Sequence, residues 1–378
     1  MNKNILNKNT ISFAIIQFIV FLFTIKYASR ITDYYLLAGI FVVAFQTFLW
    51  VGNRLFINSK FHEEKFKVIT IIQFAVLFFV SMILFSKIPI ENLNVDRWSV
   101  ITSFWDNFFA GEYVFAAKSH MGNPPGPMPF YFIIALPFYL LDAIDYLSLL
   151  GILVFYFIML HQKIAPKYRT IVLLLIIFSP FYIWEICTRS NLFLNSSLIL
   201  LGMILFVNIK DYNRFASQLM IGILLGLFLS TRNVFAMCYI MMFLYFIKSK
   251  QISWGAMSKI CVIIFLTFAF TFIPFVINFQ NEFLISNPFI VQSDVLIPSY
   301  ITISILFFSL FIFWFCKNNI EIFFYSGLIL FGTICIHFTY HIITQGFDLA
   351  FFGSRGDVSY FIFCIPFFYY FLLHSNKK

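Results

Sequence analysis

Charged residues are what this sequence has least of. Of its 378 residues, 11% are Asp, Glu, Lys or Arg, whereas 61% are hydrophobic. A soluble domain has about 25% charged and about 45–50% apolar residues, so this chain lacks the polar residues to cover a soluble fold. The composition excludes a soluble enzyme, a soluble nucleic-acid-binding domain and a disordered protein. It predicts an all-α, polytopic membrane protein.

The cysteines also give no sign of a metal site or of a disulfide scaffold. None of the six cysteines forms a Cys-x-x-Cys pair, which argues against a metal cluster or a disulfide scaffold. His337 and His341 share one helix face, but no third zinc ligand accompanies them. We therefore expect no metal and no other cofactor. The first apolar run also lacks a small-residue cleavage site, which favours an uncleaved first span.

What the chain does have is a series of apolar segments along its whole length, predicting a single integral-membrane domain over residues 1–378. A membrane span needs about 20 apolar residues, with a lower limit near 17. Segment 129–141 is too short and contains Pro129 and Pro137. The segments are 11–28, 34–51, 68–86, 129–141, 146–160, 169–186, 192–208, 216–231, 234–247, 260–277, 298–315, 320–342 and 359–373.

The few charges predict the orientation of these segments, because cytoplasmic loops are rich in Lys and Arg. Most basic residues fall in alternate loops, and most acidic residues fall in the others. Thirteen full spans could not leave all basic loops and both termini in the cytoplasm. We therefore predict about 12 full spans plus a short re-entrant helix at 129–141, packed in protein. The predicted location is a bacterial inner membrane, and the net charge of +9 indicates topology rather than nucleic-acid binding.

The first large outer loop, residues 87–128, is predicted to hold amphipathic helices at the membrane interface. Asp96 can cap a helix that begins near Arg97, and Gly111 ends it. A short second helix is predicted over 113–119, before a Pro-rich return to the membrane. The apolar positions of the first helix recur at helical spacing: Trp98, Ile101, Phe104, Trp105, Phe108 and Phe109.

Four residues of this loop are weighed as site residues. Asp96 lies where the chain leaves the third span, and a capping role and a chemical role can coexist there. Glu112, like Asp106, is expected on a solvated face. His120 directly precedes the Pro-rich run and is either a site residue or an ordinary solvated histidine.

Arginines mark three further outer junctions. Arginine next to a span is costly and tends to indicate function, and its forked donors suit phosphate. We predict that Arg189, Arg232 and Arg355 surround one anionic headgroup, with snorkelling as the alternative. That alternative fits Arg355 best, because Asp357 can pair with it locally. The polar neighbours at these junctions are Glu185, Asn191, Asn195, Ser230, Asn233, Asp357 and Tyr360.

Several short motifs together resemble the GT-C superfamily of integral-membrane glycosyltransferases. They are an acidic residue after an early span (Asp96), a Gly-x-Tyr element (Gly111–Glu112–Tyr113) and a Pro-rich re-entry. The re-entry reads Asn123–Pro124–Pro125–Gly126–Pro127, followed by Pro129–Phe130–Tyr131. The resemblance covers roughly residues 68–240, and no full family signature is present.

The resemblance implies a polyprenyl-phosphate-linked sugar donor and an acceptor (a glycan, lipid or protein) on the outer face of the membrane. Asp96 would be the general base on the acceptor hydroxyl, and the lipid phosphate would leave with inversion. Many members carry a second acid beside the first, sometimes with a metal. This chain has Arg97 there, which argues against a metal and adds a cation that could face the phosphate.

Two other functions stay open on the sequence. A polysaccharide polymerase or ligase also uses lipid-linked glycans, but its main outer loop is expected later in the chain. A transporter or flippase of lipid-linked glycans would need charged groups in mid-span, whereas the strong charges here lie at span ends. A purely structural membrane protein would not need the polar outer clusters.

Overall fold

The computed structural model describes residues 3–55, 63–291, 298–353 and 356–375, and in these ranges the regular structure is helical, with no strand. The first half of the chain contains α1 (Lys3–Ala28), α2 (Tyr35–Leu55), α3 (Glu63–Lys87), α4 (Arg97–Ala110), α5 (Pro129–Leu140), α6 (Leu147–His161), α7 (Pro166–Ile177) and α8 (Pro180–Cys187). The second half contains α9 (Leu192–Val207), α10 (Phe215–Leu229), α11 (Ala236–Lys248), α12 (Trp254–Phe270), α13 (Ile273–Val276), α14 (Gln280–Ile285), α15 (Ser299–Ile312), α16 (Glu321–Gln345), α17 (Phe347–Phe351) and α18 (Ile365–Ser375).

These helices are compatible with a multi-pass membrane protein. In the described ranges, seven helical segments are long and apolar enough to cross a bilayer, or eight if α7 and α8 form one span bent by 62°. The bend lies at Ser179–Pro180, because Pro disfavours helical backbone in the residue before it. Ser179 then caps α8 by accepting a hydrogen bond from the Tyr182 amide. Five shorter apolar helices, α5 among them, fall below the length of a full span.

The described chain begins and ends at the same end of the bundle. The Lys8 ammonium lies 2.8 Å from the Glu321 carboxylate at the start of α16. The Ser375 hydroxyl, at the end of α18, donates to the Asn9 side chain. Lys26, 18 residues further along α1, lies instead near Asp357.

The outer-loop helix α4 has the predicted bounds. It begins after Asp96 and ends at Gly111, whose φ of +73° is the left-handed conformation that glycine adopts without strain. Ile101, Phe104 and Trp105 are buried, whereas Phe108 and Phe109 remain exposed. The predicted second helix over 113–119 is wrong in extent: only a 3₁₀ turn at Val114–Ala116 forms. Ala117, with φ of −55° and ψ of 151°, leaves helical backbone and ends the turn.

Helix α5 packs along α4. The rings of Phe104 and Phe132 stack with centroids 3.7 Å apart, and the Trp105 indole N–H donates to the Phe132 carbonyl. Stacked aromatic pairs contribute about 0.5–1.5 kcal/mol beyond the area they bury. The loop helix is thereby fixed to the chain that follows the Pro-rich run.

The N-terminus of α5 is satisfied by a distant break in the chain. A helix leaves its first N–H groups without internal partners. Here the Met128 N–H donates to the Thr231 carbonyl, and the Tyr131 N–H to the Ser230 carbonyl. The Phe130 N–H donates to the Ser230 hydroxyl. The Pro-rich return and the break after α10 therefore meet, which brings Arg232 close to the outer loop.

Helices α10 and α12 approach closely through two glycines four residues apart, Gly222 and Gly226. A Cβ at Gly226 would lie 2.7 Å from the Ile264 carbonyl oxygen, and one at Gly222 would lie 2.6 Å from an Ile263 methyl group. Small residues at this spacing let helix backbones touch, as in many membrane helix pairs.

We predict that Gly226→Ala destabilises the protein, because overpacking a close contact costs about 1–3 kcal/mol. The measurement is the thermal unfolding midpoint of the full chain in detergent. Gly332→Ala is the matched control: Gly332 is also inside a helix but has open space where a Cβ would stand. The control should unfold at or above the wild-type midpoint, and an unshifted Gly226→Ala midpoint would contradict the close packing.

Candidate functional site

Asp96 occupies the N-cap position of α4, yet its carboxylate does not cap the helix. Instead, Oδ2 accepts two hydrogen bonds of 2.7 Å, one from the Ser119 hydroxyl and one from the Asn123 amide. Among the described residues, no bond to Oδ1 is found. The Pro-rich loop thus holds one oxygen of a partly buried carboxylate and leaves the other available.

Arg97, the next residue, contacts a different part of the chain. Its guanidinium donates to the Ser190 hydroxyl at 2.7 Å, and to the Asp357 carboxylate and the Ser359 hydroxyl at 2.6 Å each. The rings of Trp184 and Tyr360 lie within 6 Å of the guanidinium carbon. One arginine thus ties the outer loop to the junction before α9 and to the last helical segment.

Asp357 stays charged because of this pairing. Burial alone would raise the pKa of Asp357, but Arg97 and the two hydrogen bonds from Ser359 outweigh burial and hold the pKa below its usual value. Lys26, which is 1% exposed, also contributes a favourable charge. The prediction that Asp357 is a local partner of Arg355 stays untested, because Arg355 lies outside the described residues.

Arg232 differs from Arg97 in having no such partner. Its Nε is buried, and none of the described residues hydrogen-bonds to it. Burial lowers the pKa of Arg232, and the nearby Arg97 charge adds to this effect, opposed by Tyr360, Tyr131 and Asp357. A guanidinium in a costly position without a bonded anion is available to bind one.

Tyr360 lies near all of these groups. It interacts electrostatically with Asp96 and Arg97, and also with Arg232 and Asp357. The outer loop, the break after α10 and the start of the last helical segment therefore meet in one place. The sequence prediction that Asp96 and Arg232 share an outer site is consistent with this geometry.

Tyr131, at the start of α5, borders the same region. Its hydroxyl donates to the Asn191 side chain at 2.7 Å, and it interacts electrostatically with Arg232, Arg97 and Glu185. Asn191 is 1% exposed, and its amide nitrogen has no partner among the described residues. The Pro-rich return thus contributes a tyrosine to the site as well as a backbone turn.

The structure gives Arg189 a different role from the predicted one. Arg189 was predicted to bind phosphate, but it is 1% exposed and most of its donors are occupied. Nε donates to Asp145 at 2.9 Å, and the other nitrogens donate to the carbonyls of Cys187, Phe85 and Ile88. Its φ of +53° places the residue in a tight turn. Arg189 therefore fixes three chain segments to one another, and four of its five N–H donors are used in doing so.

The remaining predicted residues lie in different surroundings. Glu112 is exposed. The Tyr113 hydroxyl donates to the Ser286 carbonyl, which attaches the later outer loop to the first. His120 is held by Ser99 and by the Leu93 carbonyl, and it stacks on Trp98. Asn233 begins a 3₁₀ turn next to Arg232.

Several residues that form the site were not singled out from the sequence. They are two serines and one lysine: Lys26, Ser119 and Ser359. Tyr131 was named only as part of the Pro-rich re-entry. Lys26 stands at the end of an apolar span, where a lysine normally reaches the interface, so no local signal marks it as buried. Asn123 was noted only as part of the Pro-rich motif.

Among the described residues, no group of three or more His, Cys, Asp or Glu side chains could hold a metal ion. Comparison with known protein families, curated proteins and solved structures found no match.

We predict that Arg189→Gln destabilises the protein and that Arg232→Gln does not. Removing the Arg189 guanidinium leaves partly buried carbonyls without a donor, at about 1–3 kcal/mol for each unsatisfied group, so the thermal unfolding midpoint should fall clearly. Removing the Arg232 guanidinium breaks no bond to a described residue, so the midpoint should hardly change. A stable Arg189→Gln protein would contradict the structural role of Arg189.

Proposed function

We propose that this protein is a membrane glycosyltransferase that moves a sugar from a polyprenyl-phosphate donor to an acceptor on the outer face of a membrane. The observation that carries the proposal is the state of Asp96. Its carboxylate does not cap its own helix and is held through Oδ2 alone. It also interacts electrostatically with Tyr360, which in turn interacts with Arg97 and Arg232.

In the proposed reaction, Asp96 Oδ1 takes the proton of the acceptor hydroxyl as that oxygen attacks the anomeric carbon of the donor sugar. A general base must lie within hydrogen-bond reach of the proton it removes. The bond between the anomeric carbon and the phosphate oxygen breaks, and the polyprenyl phosphate leaves with the electron pair. Attack opposite the leaving group inverts the anomeric configuration.

The leaving phosphate gains charge, so it needs cationic donors fixed in advance. Arg232 suits this role because its buried Nε is unpaired. Arg97 contributes positive charge at the same place, but its bonds to Asp357 and Ser359 make it a fixed element of the site. We therefore assign phosphate binding to Arg232 and, from the sequence pattern alone, to Arg355.

The proposal includes the orientation of the chain. The end that carries Lys8, Glu321 and Ser375 is the cytoplasmic end, and the site is on the outside. About 12 full spans give the even number of crossings that the Asn9–Ser375 contact requires. The shorter apolar helices would cross the membrane together with the 3₁₀ turns or short helices that continue them.

Helix α5 is the proposed re-entrant segment. Its 12 residues extend about 18 Å, well short of a hydrocarbon core of about 30 Å. Tyr131, near the start of α5, contacts Asn191. Asp145, beyond the end of α5, contacts Arg189, which precedes Asn191 by two residues in the sequence. These contacts support a helix that starts and ends on the outer side.

We predict that Asp96→Asn abolishes glycan transfer while the protein accumulates normally, because the amide keeps the size of the side chain but cannot take a proton. The measurement is the glycan profile, by mass spectrometry, of membranes from a deletion strain that expresses the variant. Asp106→Asn is the matched control, an exposed aspartate on the same helix, and it should restore the product. Full activity of Asp96→Asn would exclude the assigned base.

We predict that a cysteine at Asp142, in the turn after α5, reacts with a membrane-impermeant maleimide added to intact cells or spheroplasts. Cys261 is exposed on α12, so Cys261→Ala provides the background. Lys210→Cys, in a loop assigned to the cytoplasm, should react only after permeabilisation. Labelling of Asp142→Cys only after permeabilisation would contradict the re-entrant helix.

A further inference from the structure

We propose that Glu185, Asn191 and Asn195 line a binding subsite for a neutral, hydroxyl-rich group, which is the glycosyl part of the donor. The inference rests on the proposed function and adds the residues that recognise the sugar. The three side chains are 0%, 1% and 0% exposed, respectively. Each has at least one buried polar atom with no hydrogen-bond partner among the described residues.

The local structure explains why these atoms are fixed in place. Glu185 Oε1 accepts from the Phe193 N–H at 2.9 Å, so one oxygen caps the start of α9 and Oε2 is left over. The Asn191 side-chain oxygen accepts a hydrogen bond from the Tyr131 hydroxyl, which leaves Asn191 Nδ2 without a partner among the described residues. Asn195 follows one turn later on the same helix face, and both of its amide atoms are unpartnered.

The unpartnered atoms form a mixed set of two donors and two acceptors. The donors are the amide nitrogens of Asn191 and Asn195, and the acceptors are Glu185 Oε2 and Asn195 Oδ1. A phosphate oxygen only accepts and would leave the acceptors of this set unpaired, whereas a hydroxyl both donates and accepts. The chemistry therefore selects a polyhydroxylated, uncharged group over a second anion.

The position of the subsite links it to the proposed phosphate site. Tyr131 contacts Asn191 directly and interacts electrostatically with both Glu185 and Arg232. A ligand that reaches from Arg232 to Glu185 would need an anion at one end and hydroxyl groups at the other. A sugar attached to a phosphate has this pattern.

The simpler alternative is that Glu185 serves only as a cap for α9, and that the amides belong to ordinary helix packing. Glu185→Gln separates the two roles. The glutamine oxygen can still accept from Phe193, so a pure cap would be retained. The carboxylate that would accept a sugar hydroxyl would be lost.

The experiment compares binding of two kinds of probe to the full-length protein in lipid nanodiscs. One probe is a long-chain polyprenyl phosphate. The other is the same lipid carrying glucose, mannose, galactose or N-acetylglucosamine on the phosphate. The variants are Glu185→Gln, Asn195→Ala and Arg232→Gln. Ser197→Ala is the matched control, because Ser197 is buried and unpartnered on α9 but lies about 200° around the helix from Asn195.

Wild type and Ser197→Ala should bind at least one glycosylated lipid about tenfold more tightly than the bare phosphate, the contribution of a hydrogen bond to a charged group. Glu185→Gln and Asn195→Ala should lose that difference and bind the bare phosphate as before. Arg232→Gln should weaken binding of both lipids. If Asn195→Ala does not fold, Glu185→Gln alone decides.

Two results would overturn the subsite: a sugar preference that survives in the folded variants, or no sugar preference in wild type that binds the bare phosphate. Wild type that binds neither lipid would contradict the proposed function itself. The two failures are therefore distinguishable in one set of measurements.

Discussion

The ion pair between Arg97 and Asp357 is the interaction on which the candidate site depends. It joins residues 260 positions apart in sequence, the first from the outer-loop helix and the second from the entrance to the last helical segment. Arg97 alone would be a nearly buried cation, and Asp357 alone a partly buried anion. Removing one partner of a buried pair is strongly destabilising, because the other charge stays behind. The pair therefore forces the loop and the last segment to adopt one relative position.

Asp96, the residue before Arg97, is bonded to a different part of the chain. The carboxylate there receives bonds from Ser119 and Asn123 in the Pro-rich return, so two adjacent residues fasten two different parts of the chain. The return then places Tyr131 against Asn191 and sets the start of α5 on the carbonyls of residues 230 and 231. Each of these contacts satisfies a polar group that an apolar environment would penalise.

The parts of the structure that sequence predicted well are those determined by local chemistry. Helix α4 begins after Asp96 and ends at Gly111, as predicted, although the Asp96 carboxylate does not cap it. The apolar segments recur as helices because hydrophobic runs and Pro or Gly breaks are encoded within a few residues. The extent of the second loop helix was mispredicted, because the chain leaves helical backbone at Ala117 after a single turn.

The roles of the arginines could not be predicted from the local sequence. Arg189 and Arg232 have the same local signature, each beside a break and close to an asparagine, yet one is largely occupied and the other is not. The difference arises from Asp145 and from the carbonyls of residues 85 and 88, which are distant in sequence. A guanidinium with its bonds made holds the fold together, and one left unpaired keeps its binding capacity for something else. The count of unsatisfied donors in the folded chain, rather than the presence of an arginine, is what distinguishes a structural cation from a ligand-binding one.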